Sequence, residues 1–356
     1  MLALWRSLNL TPRAAAARCL SASGSAVERA LVYPHHGQPA DVLKFQKQDV
    51  ADQIGPNEVR LRFLASPVNP SDINQIQGTY PLKPELPAVA GNEGVAEVTE
   101  VGNEVENLKI GEWAVPLAAS QGTWRTSGVF EAKLWHKVPN IIPLECAATC
   151  AINPPTAFCL LQDFLDLQTG DVVVQNGATS AVGMAVIQLA KQRGIRTVNI
   201  VRKRPDFEET EAWLTSLGAD LVTTEEKARD DFERSGLPKG SLGLNCVGGR
   251  ATVSVAKLLK HGGTLVTYGG MSEQPVTLPT SLFIFKNLHA RGFWWSGGPV
   301  TDESLKRKAD VIDHVTTAMQ KGKWRARTEK VPMEGFGYAL QRSRDPHKQI
   351  KVLLKP

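Results

Sequence analysis

Apolar and polar positions follow two different periods along the chain. From Arg29 to about Ile110, short runs of β-branched and aromatic residues alternate with turn residues, a pattern that predicts mostly antiparallel β structure. In the second half, apolar strands alternate with stretches of helical period, which predicts a doubly wound parallel sheet. The end of the chain adds one helix, Glu303 to Gln320, and one strand, Gln349 to Leu354. The chain is therefore expected to be an α/β protein with two domains.

The stretch from Asp171 to Arg204 has the order of elements found in a dinucleotide site. A short apolar strand, Asp171 to Gln175, leads through a small-residue loop into a helix with one apolar face, and Gly194 stands where a helix C-cap glycine belongs. The N-terminus of such a helix binds a pyrophosphate through its unpaired N–H groups. The loop, Gly177 to Gly183, has Ser180 in place of a middle glycine, so a hydroxyl is expected to bond the phosphate. The glycine pattern of the loop is by itself also compatible with an ordinary turn that binds no phosphate.

Three basic residues follow the second strand of this unit: Arg202, Lys203 and Arg204. NAD-binding proteins place an acidic residue here to accept the ribose 2′-hydroxyl, whereas basic side chains bind a 2′-phosphate through charge-assisted hydrogen bonds. The sequence therefore predicts NADPH rather than NADH as the cofactor.

Helices and strands continue on both sides of this unit. Residues 142 to 168 predict a helix that Asn153-Pro154-Pro155 interrupts, and this break is the expected hinge between the domains. Tyr268-Gly269-Gly270-Met271 directly follows a strand, so its backbone is expected to touch the nicotinamide half of the cofactor, with an ordinary glycine turn as the alternative. The remaining predicted elements are helix Phe207 to Leu217, strand Leu221 to Thr224, strand Leu242 to Val247, helix Ala251 to Lys260, strand Thr264 to Tyr268 and strand Ala290 to Phe293.

The first 27 residues differ in composition from the rest. They contain three arginines, no acidic residue, and Leu4, Trp5 and Leu8 at helical spacing, which is typical of a mitochondrial transit peptide. Without them the formal net charge would fall from +5 to about +2, which gives little support for nucleic-acid binding. No window contains the roughly 18 apolar residues of a transmembrane helix, so no membrane insertion is expected. The five cysteines form no C-x-x-C pair and fit buried, reduced thiols.

Three motifs of the first half resemble the catalytic domain of the medium-chain dehydrogenase/reductase superfamily: Asn69-Pro70-Ser71-Asp72, Gly91-Asn92-Glu93-Gly94-Val95, and Val101-Gly102 followed by Ile110-Gly111-Glu112-Trp113. The resemblance implies a GroES-like catalytic domain beside a Rossmann cofactor domain. Zinc enzymes of that superfamily carry a histidine where this chain has Asn92 and a cysteine in the region of Asn69, so no metal is expected. Glu93 is then either a remnant ligand or a carboxylate that helps to fix a turn.

Further motifs are more specific: Asn69-Pro70-Ser71-Asp72-Ile73-Asn74, Gln77-Gly78-Thr79-Tyr80-Pro81, Gly122-Thr123-Trp124-Arg125-Thr126, Asn245-Cys246-Val247-Gly248-Gly249, Tyr268-Gly269-Gly270-Met271 and Arg291-Gly292-Phe293-Trp294. Together they resemble the mitochondrial trans-2-enoyl-CoA/ACP reductase family. The resemblance implies NADPH-dependent reduction of the C2=C3 double bond of enoyl thioesters, the last step of mitochondrial type II fatty acid synthesis, in the matrix. The expected division is a transit peptide at 1–27, a GroES-like catalytic domain at 28–150 and 298–356, and a Rossmann NADP-binding domain at 151–297.

The family's catalytic tyrosine matches Tyr80, whose loop would let the phenol project into the interdomain cleft. From spacing alone, a tyrosine that packs across a turn before Pro81 is an equally open reading. The family's cofactor contacts match Asn153, Thr179, Ser180, Ala181, Val182, Arg202, Lys203, Arg204, Tyr268, Gly269, Gly270, Met271, Phe293, Trp294, Trp295, Ser296 and Lys348.

The resemblance also implies partners. The substrate would be an enoyl-CoA or an enoyl-ACP, with acyl carrier protein as a protein partner, and a homodimer would form through the edge strand Ala290 to Trp295. Trp294 and Trp295 are candidates for lining an acyl pocket, although most tryptophans simply pack. The resemblance implies an aliphatic side chain in this pocket-edge segment, and Trp295 departs from it, so the preferred acyl-chain length is left open.

Two other functions are weighed against this one. An NADPH:quinone oxidoreductase of the same superfamily would need no placed proton donor, and Tyr80 argues against it. A non-catalytic NADPH-binding scaffold or RNA-binding protein is the second alternative, and the near-neutral charge without the leader together with the complete cofactor loop argues against that.

Overall fold

The computed structural model describes residues 28–49, 51–321, 324–345 and 349–356. The predicted transit peptide and Lys348 lie outside these ranges. In the described part, no helix is both long and apolar enough to span a bilayer.

The first part of the chain is mostly antiparallel β structure. Its elements are β1 (Arg29–Tyr33), α1 (Pro39–Val42), β2 (Lys44–Lys47), β3 (Glu58–Pro67), α2 (Pro70–Gln77), β4 (Ala88–Val89), β5 (Val95–Val101), β6 (Trp113–Pro116), β7 (Ser127–Glu131), β8 (Trp135–Val138) and α3 (Leu144–Ala148). Strand β3 is the centre of the larger sheet, because β5 and β7 both pair with it antiparallel. Its alternating side chains Val59, Leu61 and Phe63 are buried against Trp135.

The middle of the chain forms a six-stranded parallel sheet with helices. Its elements are α4 (Asn153–Gln162), β9 (Val172–Asn176), α5 (Ala181–Gln192), β10 (Arg196–Val201), α6 (Phe207–Leu217), β11 (Leu221–Thr224), α7 (Ala228–Ser235), β12 (Gly240–Asn245), α8 (Ala251–Lys257), β13 (Leu259–Thr267), α9 (Thr280–Lys286) and β14 (His289–Gly292). The strand order is β11-β10-β9-β12-β13-β14. Counted from β9, this is the 3-2-1-4-5-6 order of a dinucleotide-binding sheet, with its switch point between β9 and β12.

The last elements are α10 (Asp302–Lys321), β15 (Thr328–Pro332), α11 (Phe336–Arg344) and β16 (Lys351–Lys355). Strand β16 pairs antiparallel with β3, where Leu353 is opposite Pro67, and β15 extends the same sheet beyond it. Residues from the far end of the chain therefore stand directly beside those that follow β3.

The predicted fold class is confirmed, and most element boundaries agree within a few residues. Three boundaries are wrong: the helix predicted for Ala251 to Lys260 ends at Lys257, the strand predicted from Thr264 begins at Leu259, and the helix predicted to residue 168 ends at Gln162. Leu258 and Leu259 are both buried, and a short apolar run fits either a helix face or a central strand. Leu259 belongs to the strand because it pairs with Gly240 of β12. The sequence analysis did not predict α7, α9, α11 or β15.

Candidate functional site

The loop between β9 and α5 has the close packing that a pyrophosphate site needs. Gly177 has φ 60°, and a Cβ atom there would lie 2.4 Å from the Cys246 sulfur. A Cβ atom at Gly183 would lie 2.7 Å from the backbone of Ala178, so the helix can start this close to the loop only because position 183 is glycine. Ser180 caps the helix, since its Oγ accepts a hydrogen bond of 3.0 Å from Gly183 N–H. The Ser180 side chain also interacts with the side chains of Cys246 and Tyr268.

The crevice beside this loop is fixed by two asparagines at the ends of β9 and β12. Asn176 Nδ2 donates to Asn245 Oδ1 at 2.7 Å, and Asn176 Oδ1 accepts from Cys246 N–H at 2.9 Å. Asn245 Oδ1 also accepts from Gly248 N–H at 3.1 Å. These bonds hold the carboxyl ends of the two strands together at the switch point, where ligands of such sheets bind.

The segment after β13 joins the same edge of the sheet. Tyr268 N–H donates to Asn245 O, and Met271 N–H donates to Cys246 O, both at 3.0 Å. Gly269 and Gly270 lie between them, and a Cβ atom at Gly270 would meet nothing within 4 Å. The four residues predicted from the sequence therefore line the crevice with main chain and with an exposed Met271 side chain.

The basic cluster lies at the carboxyl end of β10. Lys203 Nζ is 3.1 Å from Glu226, whereas neither Arg202 nor Arg204 forms a salt bridge with a described residue. Burial lowers the pKa of Arg204 and the neighbouring Arg202 charge lowers it further, while the charges of Asp206 and Asp345 act in the opposite direction. Two guanidinium groups that repel each other in this way form a site that an anion would stabilise. The residues present therefore fit a dinucleotide that carries a 2′-phosphate.

Tyr80 lies just beyond the C-terminus of α2, where Gly78 adopts the left-handed conformation. Its phenol oxygen accepts a hydrogen bond of 2.7 Å from Trp294 Nε1, and the two rings meet edge to face at 5.7 Å. Trp294 follows β14 of the parallel sheet, so this bond joins the two halves of the molecule. The phenol proton is not used by this bond and stays available to a ligand.

The neighbours of Trp294 in the sequence contact other parts of the molecule. Trp295 Nε1 donates to Ala151 O at 2.8 Å, and Lys308 Nζ lies 6.0 Å from the centre of its ring. This tryptophan therefore contacts the hinge segment, residues 149–152 between α3 and α4. The Phe293 ring packs edge to face on Phe164 at 5.9 Å, and Ser296 is partly buried. Of the two tryptophans that the sequence analysis favoured for an acyl pocket, Trp294 is the one in contact with Tyr80.

A cluster of polar side chains occupies the region where zinc enzymes hold their metal. Asp72 Oδ1 accepts from Asn92 Nδ2 at 2.8 Å, and Glu93 Oε2 accepts from Asn69 Nδ2 at 2.8 Å. Lys351 Nζ donates to Asn69 Oδ1, so an ammonium group lies among these amides. Among the described residues, no group of three or more His, Cys, Asp or Glu side chains could hold a metal ion.

Burial controls the charges of this cluster. It raises the pKa of the Glu93 carboxyl to about 7, while the positive charge of Lys351 acts in the opposite direction. It also raises the pKa of Asp72 and lowers that of Lys351. The Lys351 charge and the hydrogen bonds that the two carboxyl groups accept therefore favour the charged form of both acids.

Asn153 and Lys351 line a small open cleft of about 40 Å³ together with Ala181, the first residue of α5. The sequence analysis predicted Asn153 and Ala181 as cofactor contacts and missed Lys351. A lysine within an otherwise buried terminal strand is a signal of some polar partner, but the sequence does not say which one. The partners follow only from the pairing of β16 with β3.

Two family models and several known proteins match this chain. Residues 55–140 match the model of the alcohol dehydrogenase GroES-like domain, and residues 181–313 match that of the zinc-binding dehydrogenases. The human protein named mitochondrial enoyl-acyl-carrier-protein reductase is 46% identical over 330 residues, which cover 92% of this chain and 88% of the human one. The corresponding protein of Arabidopsis thaliana is 44% identical, over 88% of this chain and 84% of its own length.

Solved structures extend the comparison to the fold. The complex of Etr1p with NADP and crotonyl-CoA superposes with a TM-score of 0.85 at 36% identity, over 93% of this chain and 100% of the other. The mitochondrial 2-enoyl thioester reductase Etr1p/Etr2p heterodimer from Candida tropicalis gives a TM-score of 0.84 at 35% identity, with the same coverage.

Proposed function

The chain belongs to the mitochondrial enoyl-acyl-carrier-protein reductase family, and from that premise we propose how its site works. It is an NADPH-dependent enzyme that reduces the C2=C3 double bond of trans-2-enoyl thioesters to acyl thioesters, the last step of mitochondrial type II fatty acid synthesis. The observation that carries the mechanism is the Tyr80 phenol, which Trp294 holds at the junction of the two halves.

Bound NADPH would supply a hydride to C3 of the enoyl thioester. The chain must then meet the negative charge that develops on the thioester oxygen and provide a proton for C2. Trp294 N–H donates to the lone pair of Tyr80 Oη and thereby fixes the direction of the phenol. The O–H of Tyr80 is left to donate, either to the enolate oxygen or to C2.

The contacts that would hold the dinucleotide are the predicted ones, and they form three groups. The loop residues Thr179 to Val182 would hold the pyrophosphate at the N-terminus of α5. Arg202 and Arg204 would bind the 2′-phosphate, with Lys203 alongside. Asn153, the segment Tyr268 to Met271 and the segment Phe293 to Ser296 would line the nicotinamide end. Lys348 remains a sequence prediction.

Purified protein tests the function directly. Consumption of NADPH, followed by absorbance, should depend on a trans-2-enoyl-CoA and should be much slower with a quinone. Quinone turnover without enoyl turnover would contradict the assignment. The names of the relatives do not favour that alternative.

A homodimer is proposed from the exposed edge of the parallel sheet. Strand β14 is the last strand of its sheet and all of its residues are exposed. The preceding helix α9 exposes Ile284 to 66% and Phe285 to 78%. An open strand edge beside exposed apolar side chains favours pairing with a second copy. A monomeric mass by light scattering would argue against this.

The enzyme is a mitochondrial protein, as its relatives are named. We place it in the matrix on the strength of residues 1–27, and a fusion of this segment to a fluorescent protein should enter that compartment. Acyl carrier protein is the proposed carrier of the substrate in vivo. A steady-state comparison of enoyl-ACP with enoyl-CoA tests this, and a lower kcat/KM for the carrier-bound substrate would contradict it.

A further inference from the structure

The main chain of the hinge is held from both sides. Glu93 Oε1 accepts hydrogen bonds from Ala151 N–H at 3.1 Å and from Ile152 N–H at 2.8 Å. On the other side of the same residue, Ala151 O accepts from Trp295 Nε1 at 2.8 Å. Glu93 belongs to the antiparallel half and Trp295 to the segment after the parallel sheet. The carboxylate therefore fixes the point from which α4 and Asn153 begin.

The second oxygen of the same carboxylate acts on Asn153 itself. Glu93 Oε2 accepts from Asn69 Nδ2 at 2.8 Å and lies 3.4 Å from Asn153 Nδ2, while Asn153 Nδ2 also donates to Asn69 Oδ1 at 3.1 Å. Both acceptors lie on the nitrogen side of the Asn153 amide. They orient its Oδ1 away from the cluster, as an acceptor for an N–H donor in the cleft that Asn153 lines.

Glu93 has no exposed surface, so it does not touch a ligand in that cleft. Lys351 completes the arrangement, because its ammonium group donates to Asn69 Oδ1 and lines the same cleft. We propose that Glu93 is a positioning residue for the cofactor: it orients the Asn153 amide so that Oδ1 is presented as an acceptor to the bound dinucleotide. This inference rests on the proposed function, which makes Asn153 a cofactor contact.

The substitution Glu93→Gln separates the two roles of the carboxylate, which are to hold the main chain of the hinge and to orient the Asn153 amide. The glutamine oxygen can still accept from Ala151 and Ile152, which keeps the hinge. Its NH₂ group would then face the NH₂ groups of Asn69 and Asn153, and two donors cannot bond each other. Either the Asn153 amide rotates by about 180° and presents its nitrogen to the cleft, or the hydrogen bonds to Ala151 and Ile152 break. The expected result is an NADPH Kd that is about 3- to 10-fold higher, the effect of one neutral hydrogen bond.

The measurement is NADPH Kd by fluorescence titration, with Glu93→Gln, Asn153→Ala and the double variant. If Glu93 acts through Asn153, its substitution should change Kd by less than about twofold in the Asn153→Ala background, since residues that act as a unit are not additive. Asn92→Ala is the matched control. Asn92 is buried in the same cluster and bonds Asp72 and Gln75 but not Asn153, so it should lower the melting temperature and leave Kd unchanged.

A pH series gives a second readout. The groups that face Glu93 are Lys351 of β16, Asp72 of α2 and Cys150 of the hinge. Protonation of Glu93, with its pKa near 7, replaces an acceptor by a donor. NADPH affinity should therefore fall more steeply below pH 7 in the wild type than in Glu93→Gln. This comparison also corrects for the titration of the 2′-phosphate, which both proteins share.

The outcomes are distinct. Asn153→Ala raising Kd while Glu93→Gln binds normally would overturn the positioning role alone. No effect of Asn153→Ala would overturn that role together with the Asn153 contact. Enoyl-CoA turnover by the wild type, measured in the same preparation, tests the proposed function separately. Should Glu93→Gln not fold, Asn69→Ser keeps an oxygen at the N-cap of α2 but cannot reach Asn153, and it should show the same non-additive rise in Kd.

Discussion

The cofactor crevice and the polar cluster behind the hinge are built in opposite ways. The crevice comes from the segment 171–204 and nearby loops, and it relies on glycines, main-chain N–H groups and strand ends. The cluster relies on side chains that are up to 282 residues apart, as for Lys351 and Asn69, and on charges taken out of water. Backbone sites tolerate changes in neighbouring side chains. A buried charged cluster does not, because each member satisfies another.

The largest effect is expected at Tyr80, whose hydrogen bond with Trp294 joins the two halves of the molecule. Tyr80→Phe removes the O–H donor and the acceptor of the Trp294 bond but keeps the ring contact at 5.7 Å. Loss of one oxyanion-type donor should lower kcat by about 10²- to 10³-fold, while NADPH Kd stays within about twofold. Steady-state kinetics and fluorescence titration check this.

An unchanged kcat with an intact circular dichroism spectrum would remove Tyr80 from the mechanism. Water or a ribose hydroxyl of the cofactor would then be the proton source. Trp294→Phe is a useful companion, since it leaves the phenol without its donor and should have a smaller effect than Tyr80→Phe.

The second prediction concerns the basic residues of the crevice and their selectivity for NADPH. Replacing Arg202 and Arg204 with alanine should raise the NADPH KM by about ten- to a hundredfold and leave the NADH KM nearly unchanged, because charged hydrogen bonds to a phosphate contribute about 1.5 to 3 kcal/mol each. Lys203→Ala is the control, since Lys203 is already paired with Glu226 and should matter less. Equal losses for both cofactors would place the 2′-phosphate elsewhere.

The cluster is tested by its dependence on pH. The Glu93 pKa is raised from 4.5 to about 7 in the folded protein, so the folded state holds a proton that the unfolded chain releases in this window. This contribution to stability is complete below about pH 4.5 and is lost as the pH rises through about 7. The free energy of unfolding of the wild type, relative to Glu93→Gln, should fall by on the order of 1 to 3 kcal/mol from pH 5 to pH 8.

Urea unfolding at each pH measures that difference. Glu97→Gln serves as the control, because it removes a carboxylate from a largely exposed pair with Arg62 and should show no comparable trend. Parallel stability curves for the wild type and Glu93→Gln would show that Glu93 is ionised alike in the folded and unfolded states.

The fold class, the dinucleotide loop and the preference for NADPH could all be predicted from the order of residues. Each of these follows from local rules: the period of apolar residues, the positions where only glycine fits, and the sign of the charges after β10. Helix α6 and strand β11 were predicted to the residue for the same reason, because their caps and periods are local. The helix predicted to Lys260 failed where a short apolar run suits two structures, and long-range pairing chose the strand.

The folded structure was needed to show which side chains meet across the cleft. It brought Trp294 to Tyr80, 214 residues away, and directed Trp295 to the hinge instead. It also left Asn69, Glu93 and Asn153 around the ammonium of Lys351, which no local pattern connects. A hydrogen bond requires a distance and a direction between particular atoms. These are set by how β16 joins β3 and how the two sheets pack, and the order of residues along the chain does not contain them.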